Sequence, residues 1–240
     1  MYIYLWYFLI YAFLGWCAEV AYAAVNTGKF INRGFLNGAV CPIYGIGAVI
    51  GITVMTPLQN NIFILFFGAV LLASLLELFS GWILEKAFSQ KWWDYSHLPF
   101  NIGGYICLKF SLIWGIACVL LVNVIHPIIE RVVLIIDVRF GQLILVVLYT
   151  AVIIDIVASV LSVLNLNKQL KQINQFAVKM RNISDDIGER IFEESISIME
   201  KTEAFKSEGY KRILKAFPNL KSKHFDQELK ELRNRIFNKQ

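Results

Sequence analysis

Residues 61–86 read NIFILFFGAVLLASLLELFSGWILEK and contain no charged side chain before Glu77. An α-helix needs about 20 predominantly apolar residues to cross a bilayer, so this stretch predicts a transmembrane helix. Four further apolar runs of comparable length cover residues 2–25, 38–57, 105–129 and 140–163. The sequence therefore predicts an all-α, polytopic membrane protein with about five transmembrane helices.

The amino-acid composition also indicates a membrane protein. Of the 240 residues, 57% are hydrophobic and 17% are charged, and the mean hydropathy is +0.57. Soluble domains usually carry about 25% charged residues. The lipid bilayer is therefore the first partner that we expect.

Charge divides the chain into two parts. Residues 1–164 hold seven basic and seven acidic side chains, whereas residues 165–240 hold sixteen and eleven, so the net charge of +5 belongs to the second part. We predict a transmembrane domain over residues 1–164 and a basic, cytoplasmic helical tail over residues 165–240. Anionic lipid headgroups, or the ordinary excess of Lys and Arg in cytoplasmic segments, explain such a tail, and nucleic acid is not an expected partner.

The loops predict an orientation. Lys29 and Arg33 lie between the first two predicted spans, and Lys86 and Lys91 lie between the third and the fourth. The positive-inside rule assigns both loops and the tail to the cytoplasm. The N-terminus is then outside and the C-terminus is cytoplasmic.

The tail has the apolar spacing of an amphipathic helix. The 4-3-4-3 spacing of a coiled coil is followed by Leu166, Leu170, Ile173, Ala177 and Met180. The same frame continues, with polar breaks at Ser184 and Glu194, to Ile187, Ile191 and Ile198. Residues 182–186 offer a helix stop and restart. Two hypotheses stay open, a dimerising coiled coil and a helical hairpin that folds on itself. The hairpin would use the apolar residues Ile213, Leu214, Phe217, Leu229, Leu232 and Ile236.

Ionisable side chains within the predicted spans indicate a polar site, because each costs about 2.5–3.5 kcal/mol near a helix centre. They are Glu19, Glu77, Lys109 and Asp155. At a rise of about 1.5 Å per residue, all fall in the cytoplasmic half, on the side of Cys41, Tyr44 and the loop of residues 86–104. We predict one polar basin open to the cytoplasm. The structural alternative is interhelical ion pairing, with Lys109 bound to Glu77 or Glu19, or with its side chain extended to the interface.

Helix periodicity predicts two further features of the spans. Glu77, Gly81 and Glu85 share one face of the third helix, because they are four residues apart. Gly47 and Gly51 form a GxxxG pattern, which predicts close packing with another helix.

The loop of residues 86–104, KAFSQKWWDYSHLPFNIGG, concentrates aromatic and polar residues between two spans. Irregular polar backbone beside the hydrocarbon persists only when it is buried in protein or lines a water-filled cavity. Asp94 and His97 suit acid/base chemistry, with a turn-forming Asp94 as the alternative. Two residues do not make a metal site, and the sequence has neither a CxxC nor a Walker A motif. We therefore expect no metal, no cofactor and no ATP hydrolysis by this chain itself.

Several unusual motifs occur in a recognisable order. They are GWCAE at residues 15–19, NRGFLNGAVCPIYGIG at residues 32–47, the Glu77–Glu85 helix, and WWDYS with PFNIG at residues 92–103. Over about residues 1–130 the chain resembles the type IV ABC-transporter permease family of bacterial multi-pass membrane proteins. The resemblance implies a bacterial plasma-membrane location and a permease working with a separate ATPase. With about five spans per chain, such a permease would be a homo-oligomer. Its motifs carry over to Glu19, Arg33, Asn37, Cys41, Tyr44, Glu77, Glu85, Trp93, Asp94 and Asn101.

Three functions fit these observations. The favoured one is a transporter permease subunit, in which the motif residues with His97, Lys109 and Asp155 line a substrate pathway. The second is a membrane-embedded enzyme or lipid-binding protein at the cytoplasmic leaflet. It is less expected because the sequence shows no clear pair of nucleophile and base. The third is a regulatory or scaffolding protein that acts through its coiled-coil tail.

Overall fold

The computed structural model describes residues 1–181 and 208–237, and within them the chain is predominantly helical. The helices are α1 Tyr2–Thr27, α2 Pro42–Met55, α3 Ile62–Phe88, α4 Leu108–Leu120, α5 His126–Ile135, α6 Val138–Arg181, α7 Glu208–Ala216 and α8 Asp226–Phe237. A 3₁₀ turn (Thr56–Leu58) follows α2, and a π-helical segment (Leu121–Ile125) joins α4 to α5. Short strands are β1 Gln90–Lys91, β2 Asn101–Ile102, β3 Ile106–Cys107 and β4 Lys221–Ser222. The predicted all-α membrane fold is confirmed.

Among the described residues, four helical segments are long and apolar enough to cross a membrane. They are Tyr2–Thr27, Ile62–Phe88, Leu108–Ile135 and Val138–Gln175. The remaining predicted span is shorter, because its apolar helix covers only Pro42–Leu58. The 14 residues of α2 and the 3₁₀ turn together rise about 27 Å, slightly less than the hydrocarbon core of about 30 Å. Four long helices and one short one therefore replace the five equivalent spans of the prediction.

The second helix begins at Pro42 and not at Gly38, because the backbone before it has other partners. The N–H groups of Asn37 and Gly38 donate to the Asp155 carboxylate, and that of Cys41 donates to the Ala12 carbonyl. Pro42 then occupies the first turn of α2, where its missing N–H costs nothing.

The fourth helix begins at Leu108, three residues later than predicted, because a small hairpin precedes it. Strands β2 and β3 pair Asn101 with Cys107, and Gly103 and Gly104 adopt positive φ angles of 59° and 71° in the turn between them. The helical path that begins with α4 also continues beyond residue 129, to Ile135. The predicted connector over residues 130–139 therefore shrinks to a short turn.

The described chain divides into two compact units. The first contains Met1–Ile83 and Trp93–Ile156, and the second contains Leu84–Trp92 and Val157–Gln240. In the first unit, α1 packs against α2 at two glycines. Gly15 faces the Tyr44 side chain and Gly45 faces the backbone of Phe8, so neither position has room for a Cβ atom. By contrast, a Cβ atom at Gly47 or Gly51 would meet no neighbouring atom within 4 Å, so within residues 1–181 and 208–237 the GxxxG pattern is not a helix-packing contact.

In the second unit, the C-terminal segments cover apolar residues of α6. Leu166, Leu170 and Ile173 are fully buried, as are Ile213, Leu214, Leu229 and Leu232. Asn174 Nδ2 donates to the Glu228 carboxylate and so joins α6 to α8. For these positions the structure favours the hairpin over a dimerising coiled coil. Ile187, Ile191, Ile198 and the predicted helix stop at residues 182–186 lie outside the described residues.

A two-residue sheet links the C-terminal segments to the segment that follows α3. Strand β1 pairs antiparallel with β4, with Gln90 opposite Ser222. The Trp92 ring lies edge-on to the Phe217 ring, with centroids 4.7 Å apart. Gln90 is completely buried and donates to Asn167 Oδ1. The second unit therefore has its own small core.

Candidate functional site

The first half of the candidate site is an ion pair whose carboxylate also accepts a hydrogen bond from a tyrosine. Arg33 Nε lies 3.5 Å from Glu19 Oε2, and the Tyr44 hydroxyl donates to Glu19 Oε1 at 2.6 Å. The Arg33 guanidinium also lies over the Tyr22 ring, 5.2 Å from its centroid. Three segments, α1, the loop of residues 28–41 and α2, thus converge on one carboxylate. Tyr44 reaches Glu19 because Gly15 leaves space for its ring.

Asn32 determines where the Arg33 side chain lies. Its Oδ1 accepts hydrogen bonds from Trp16 Nε1 at 2.9 Å and from the Gly34 N–H at 3.0 Å. Its Nδ2 donates to the Asn37 carbonyl at 2.8 Å. One amide therefore organises the loop and ties it to α1.

Cys41 is buried close to the same carboxylate. Burial, and then the negative charge of Glu19, raise the pKa of the Cys41 thiol to about 12. The thiol therefore stays protonated at neutral pH and is a poor nucleophile.

The second half of the candidate site surrounds Glu77 on α3. The Tyr95 hydroxyl donates to Glu77 Oε1 at 3.1 Å, and the Trp114 indole lies beside the same carboxyl group. Glu77 Oε2 is buried and has no hydrogen-bond partner among the described residues. Burial, and then the charge of Glu77, raise the pKa of Tyr95, so its phenol remains a hydrogen-bond donor. Glu77 is thus held by neutral groups and not by a cation.

The two halves adjoin through aromatic side chains. The Tyr44 and Trp114 rings meet edge to face with centroids 5.7 Å apart. We use the term polar core for the set Glu19, Arg33, Tyr44, Glu77, Tyr95 and Trp114. It draws side chains from α1 to α4 and from both polar loops, and of the four ionisable residues of the predicted basin it contains Glu19 and Glu77.

Asp155 holds the loop of residues 28–41 in place. Its carboxylate accepts hydrogen bonds from the Asn37 N–H at 3.0 Å, from Asn37 Nδ2 at 2.7 Å and from the Gly38 N–H at 2.7 Å. The structure therefore brings Asn37 and Asp155 together as a polar tie between the loop and α6.

The loop that carries Tyr95 is fixed by its own polar side chains. Asp94 Oδ1 accepts the Ser96 N–H at 3.0 Å, and Trp93 Nε1 donates to the Tyr105 carbonyl at 2.8 Å. Asn101 Nδ2 donates to the Leu98 carbonyl at 2.7 Å, and its Oδ1 accepts the Gly104 N–H at 3.2 Å. Three motif residues, Trp93, Asp94 and Asn101, thus shape the loop that aims Tyr95 at Glu77.

Other predicted site residues lie apart from the polar core. His97 is exposed on the loop surface, and the structure gives Asp94 the turn-forming role of the alternative. Glu85 belongs to the second unit, where its Oε1 lies 3.6 Å from Lys223 Nζ. Within residues 1–181 and 208–237, no three His, Cys, Asp or Glu side chains are grouped to hold a metal ion.

The ion pairs predicted for Lys109 are not formed in the described structure. Its side chain is exposed, and its Nζ lies 5.9 Å from the centroid of the Phe110 ring. Arg33 is the cation that pairs with Glu19. The physical reason is the direction of the side chains on α4, where Trp114 and not Lys109 lies beside Glu77.

The site also contains residues that the sequence did not single out. They are Asn32, Tyr95 and Trp114. Asn32 and Tyr95 belong to the motifs quoted above, so their position in the motifs was an available signal. Trp114 lies within an apolar run, where an indole has no distinctive sequence signal.

Comparison with known proteins identifies the family of this chain. A family model described as "Putative ABC-transporter type IV" matches residues 6–160, which is more than half of the chain. Searches of curated proteins and of solved structures give no match. The matched range contains most of α1, all of α2 to α5, the whole polar core and the Asn37–Asp155 tie. The chain therefore belongs to the family described as Putative ABC-transporter type IV.

Proposed function

We propose that this chain is the membrane-spanning permease subunit of an ABC-type transporter and that the polar core contacts the transported molecule. The observation that carries the proposal is the environment of Glu77. Among the described residues, its Oε2 atom is buried and makes no geometrically defined hydrogen bond, although the Trp114 indole lies beside the carboxyl group, in a bundle of apolar helices. Leaving such an atom unsatisfied costs about 1–3 kcal/mol, so its retention favours a binding role over a packing role.

The charges of the polar core suggest how the site works. Glu19 is neutralised by Arg33, whereas Glu77 is held by the Tyr95 hydroxyl and faces no cation in the polar core. A substrate group that donates hydrogen bonds or carries positive charge would complete the coordination of Glu77 Oε2. The Tyr44 and Trp114 rings supply an apolar wall beside it.

The proposal assigns ATP hydrolysis to a separate subunit, because the chain contains no Walker A motif. The loop of residues 86–104 would couple to that subunit, and two or more copies of the chain would form the pathway. We place the protein in a bacterial plasma membrane with the N-terminus outside and the C-terminus in the cytoplasm. The distribution of Lys and Arg supports this orientation.

A second candidate function is regulation through the tail. It is favoured by the pairing of β4 with β1 and by the ion pair between Lys223 and Glu85. These contacts bind the tail to the start of the loop that the permease proposal assigns to coupling. An enzymatic role has less support, because the raised pKa of Cys41 makes this thiol a poor nucleophile.

The test is affinity purification of the full chain from its native membrane in mild detergent, followed by mass spectrometry of proteins and lipids. We expect an ATPase with a Walker A motif in fixed stoichiometry. In liposomes, Glu77→Gln should lower substrate-stimulated ATP hydrolysis about tenfold while the stoichiometry is unchanged. Asp137→Asn is the matched control, because it removes an acid that caps α6 outside the polar core. Recovery of a lipid without an ATPase, with the lipid lost in Glu77→Gln, would instead favour the lipid-handling alternative.

A further inference from the structure

A second polar cluster lies in the first unit and uses none of the residues of the polar core. It surrounds a cavity of about 540 Å³ between the beginning of α1, the end of α2 and α5. The titratable side chains that line it are Tyr4, Tyr7, His126 and Glu130. The sequence gives no signal for a role of His126, because this residue follows an apolar run without any motif.

The π-helical segment Leu121–Ile125 orients this cluster. A π turn adds one residue to a helical turn, and such turns are frequent at functional sites. Directly after it, His126 is buried, its Nδ1 hydrogen-bonds the Tyr11 hydroxyl at 3.1 Å, and its ring lies edge-on to Tyr7. Glu130 lies one turn further on the same helix face, with its carboxylate beside the Tyr7 hydroxyl. The extra residue thus turns both side chains towards α1.

The lining of the cavity suits a cation. Glu130 is its one carboxylate, and no Lys or Arg is among the residues that line it. The rings of Tyr4 and Tyr7 meet edge to face with centroids 5.9 Å apart, and the face of a tyrosine ring attracts cations. Apolar surface from Ile52 and Pro57 lies beside these groups. Such a mixture of one acid, aromatic faces and apolar wall favours an organic cation over a hydrated metal ion.

We propose that this cavity is a binding site for a small organic cation of the quaternary ammonium or alkylamine class. The ammonium group would lie against the Tyr4 and Tyr7 rings and opposite the Glu130 carboxylate, and the alkyl part would contact Ile52. The site requires no ATPase subunit, so the proposal is independent of the permease role and of the polar core.

The test uses a charged probe and its neutral isostere. Isothermal titration calorimetry on the full chain in detergent compares choline with 3,3-dimethylbutan-1-ol, which has the same shape but no charge. We expect saturable choline binding at least about tenfold tighter than binding of the alcohol, with competition by tetramethylammonium. Equal affinities for the two probes, or no saturable binding of choline, would overturn the proposal.

Two variants test whether choline binds in this cavity. Glu130 and Tyr4 are both exposed, so Glu130→Gln and Tyr4→Leu should fold, which a thermal unfolding curve checks. Each should weaken choline binding about three- to tenfold, through loss of the charge and of the aromatic face respectively. Asp137→Asn removes one acid from the turn after α5 and should leave the affinity unchanged. A folded Glu130→Gln protein with unchanged choline affinity would contradict the assignment.

Discussion

At the scale of single residues, the polar core contains two glutamates in different environments. One is neutralised by an arginine, and the other keeps an oxygen that could accept a hydrogen bond. Glu19 has an arginine at 3.5 Å and a tyrosine donor at 2.6 Å, whereas Glu77 has a tyrosine donor, the Trp114 indole beside it, and one oxygen that makes no hydrogen bond to the described residues. This difference could not be read from the sequence, which gives two glutamates within apolar runs. It depends on helix rotation, which puts Tyr44 and Arg33 beside the first glutamate and Tyr95 beside the second.

Tyr44→Phe should destabilise the protein, because Glu19 Oε1 would lose its donor in a partly buried site. We expect a loss of about 1–3 kcal/mol in the free energy of unfolding, seen as a lower Tm in detergent. Tyr22→Phe is the matched control, since its ring remains available to the Arg33 guanidinium and its hydroxyl is not part of the polar core. An equal fall in Tm for both variants would contradict the role given to the Tyr44 hydroxyl.

The Cys41 thiol should react slowly with alkylating agents in the folded protein. With a pKa of about 12 in place of the ordinary 9.0, its thiolate fraction at pH 8 is lower by about 1000-fold. A variant with Cys17, Cys107 and Cys118 changed to serine isolates this thiol, and mass spectrometry follows iodoacetamide labelling against pH. Because the folded pKa is raised, the thiol's contribution to stability is complete below pH 9 and is lost as pH rises towards 12. Rapid labelling at pH 8 without unfolding would refute the burial of this group.

At the scale of elements, the sequence predicted the apolar helices but not where two of them begin. Apolar runs fix α1 and α3 closely, because length and hydropathy decide a span. The starts of α2 and α4 depend on long-range partners, namely Asp155 for residues 37 and 38 and the β2–β3 hairpin for residues 101–107. Such partners leave no local signal. The same limit applies to the predicted polar basin: the sequence shows which spans carry ionisable residues, but it could not show that Glu19 pairs with Arg33.

Asp155→Ala should release the loop of residues 28–41 from α6. The amides of Asn37 and Gly38 would lose their acceptor, so we expect faster hydrogen exchange at these two positions and a cost of about 1–3 kcal/mol. Asp155→Asn retains one acceptor oxygen and should give an intermediate effect. Exchange rates at residues 37 and 38 that are the same in all three proteins would show that the loop is held elsewhere.

At the scale of the whole molecule, the described chain contains two units with separate cores. The second unit rests on aromatic and aliphatic packing that includes Phe217 against Trp92. Phe217→Ala should therefore cost this unit about 3 kcal/mol and make residues 84–92 more accessible to hydrogen exchange. Phe237→Ala, at an exposed position of α8, is the control and should change little. Equal exchange in both variants would show that Phe217 is not needed for this core.

The close approach between Gly15 and Tyr44 has a consequence for how this family diverges. A methyl group at position 15 has no room while the tyrosine ring is present, and the glycine has no packing purpose once the ring is gone. The two positions, which are 29 residues apart in the chain, should therefore covary during evolution. Across related genomes we expect Gly15 and Tyr44 to be kept together or replaced together, and lineages with one but not the other to be rare.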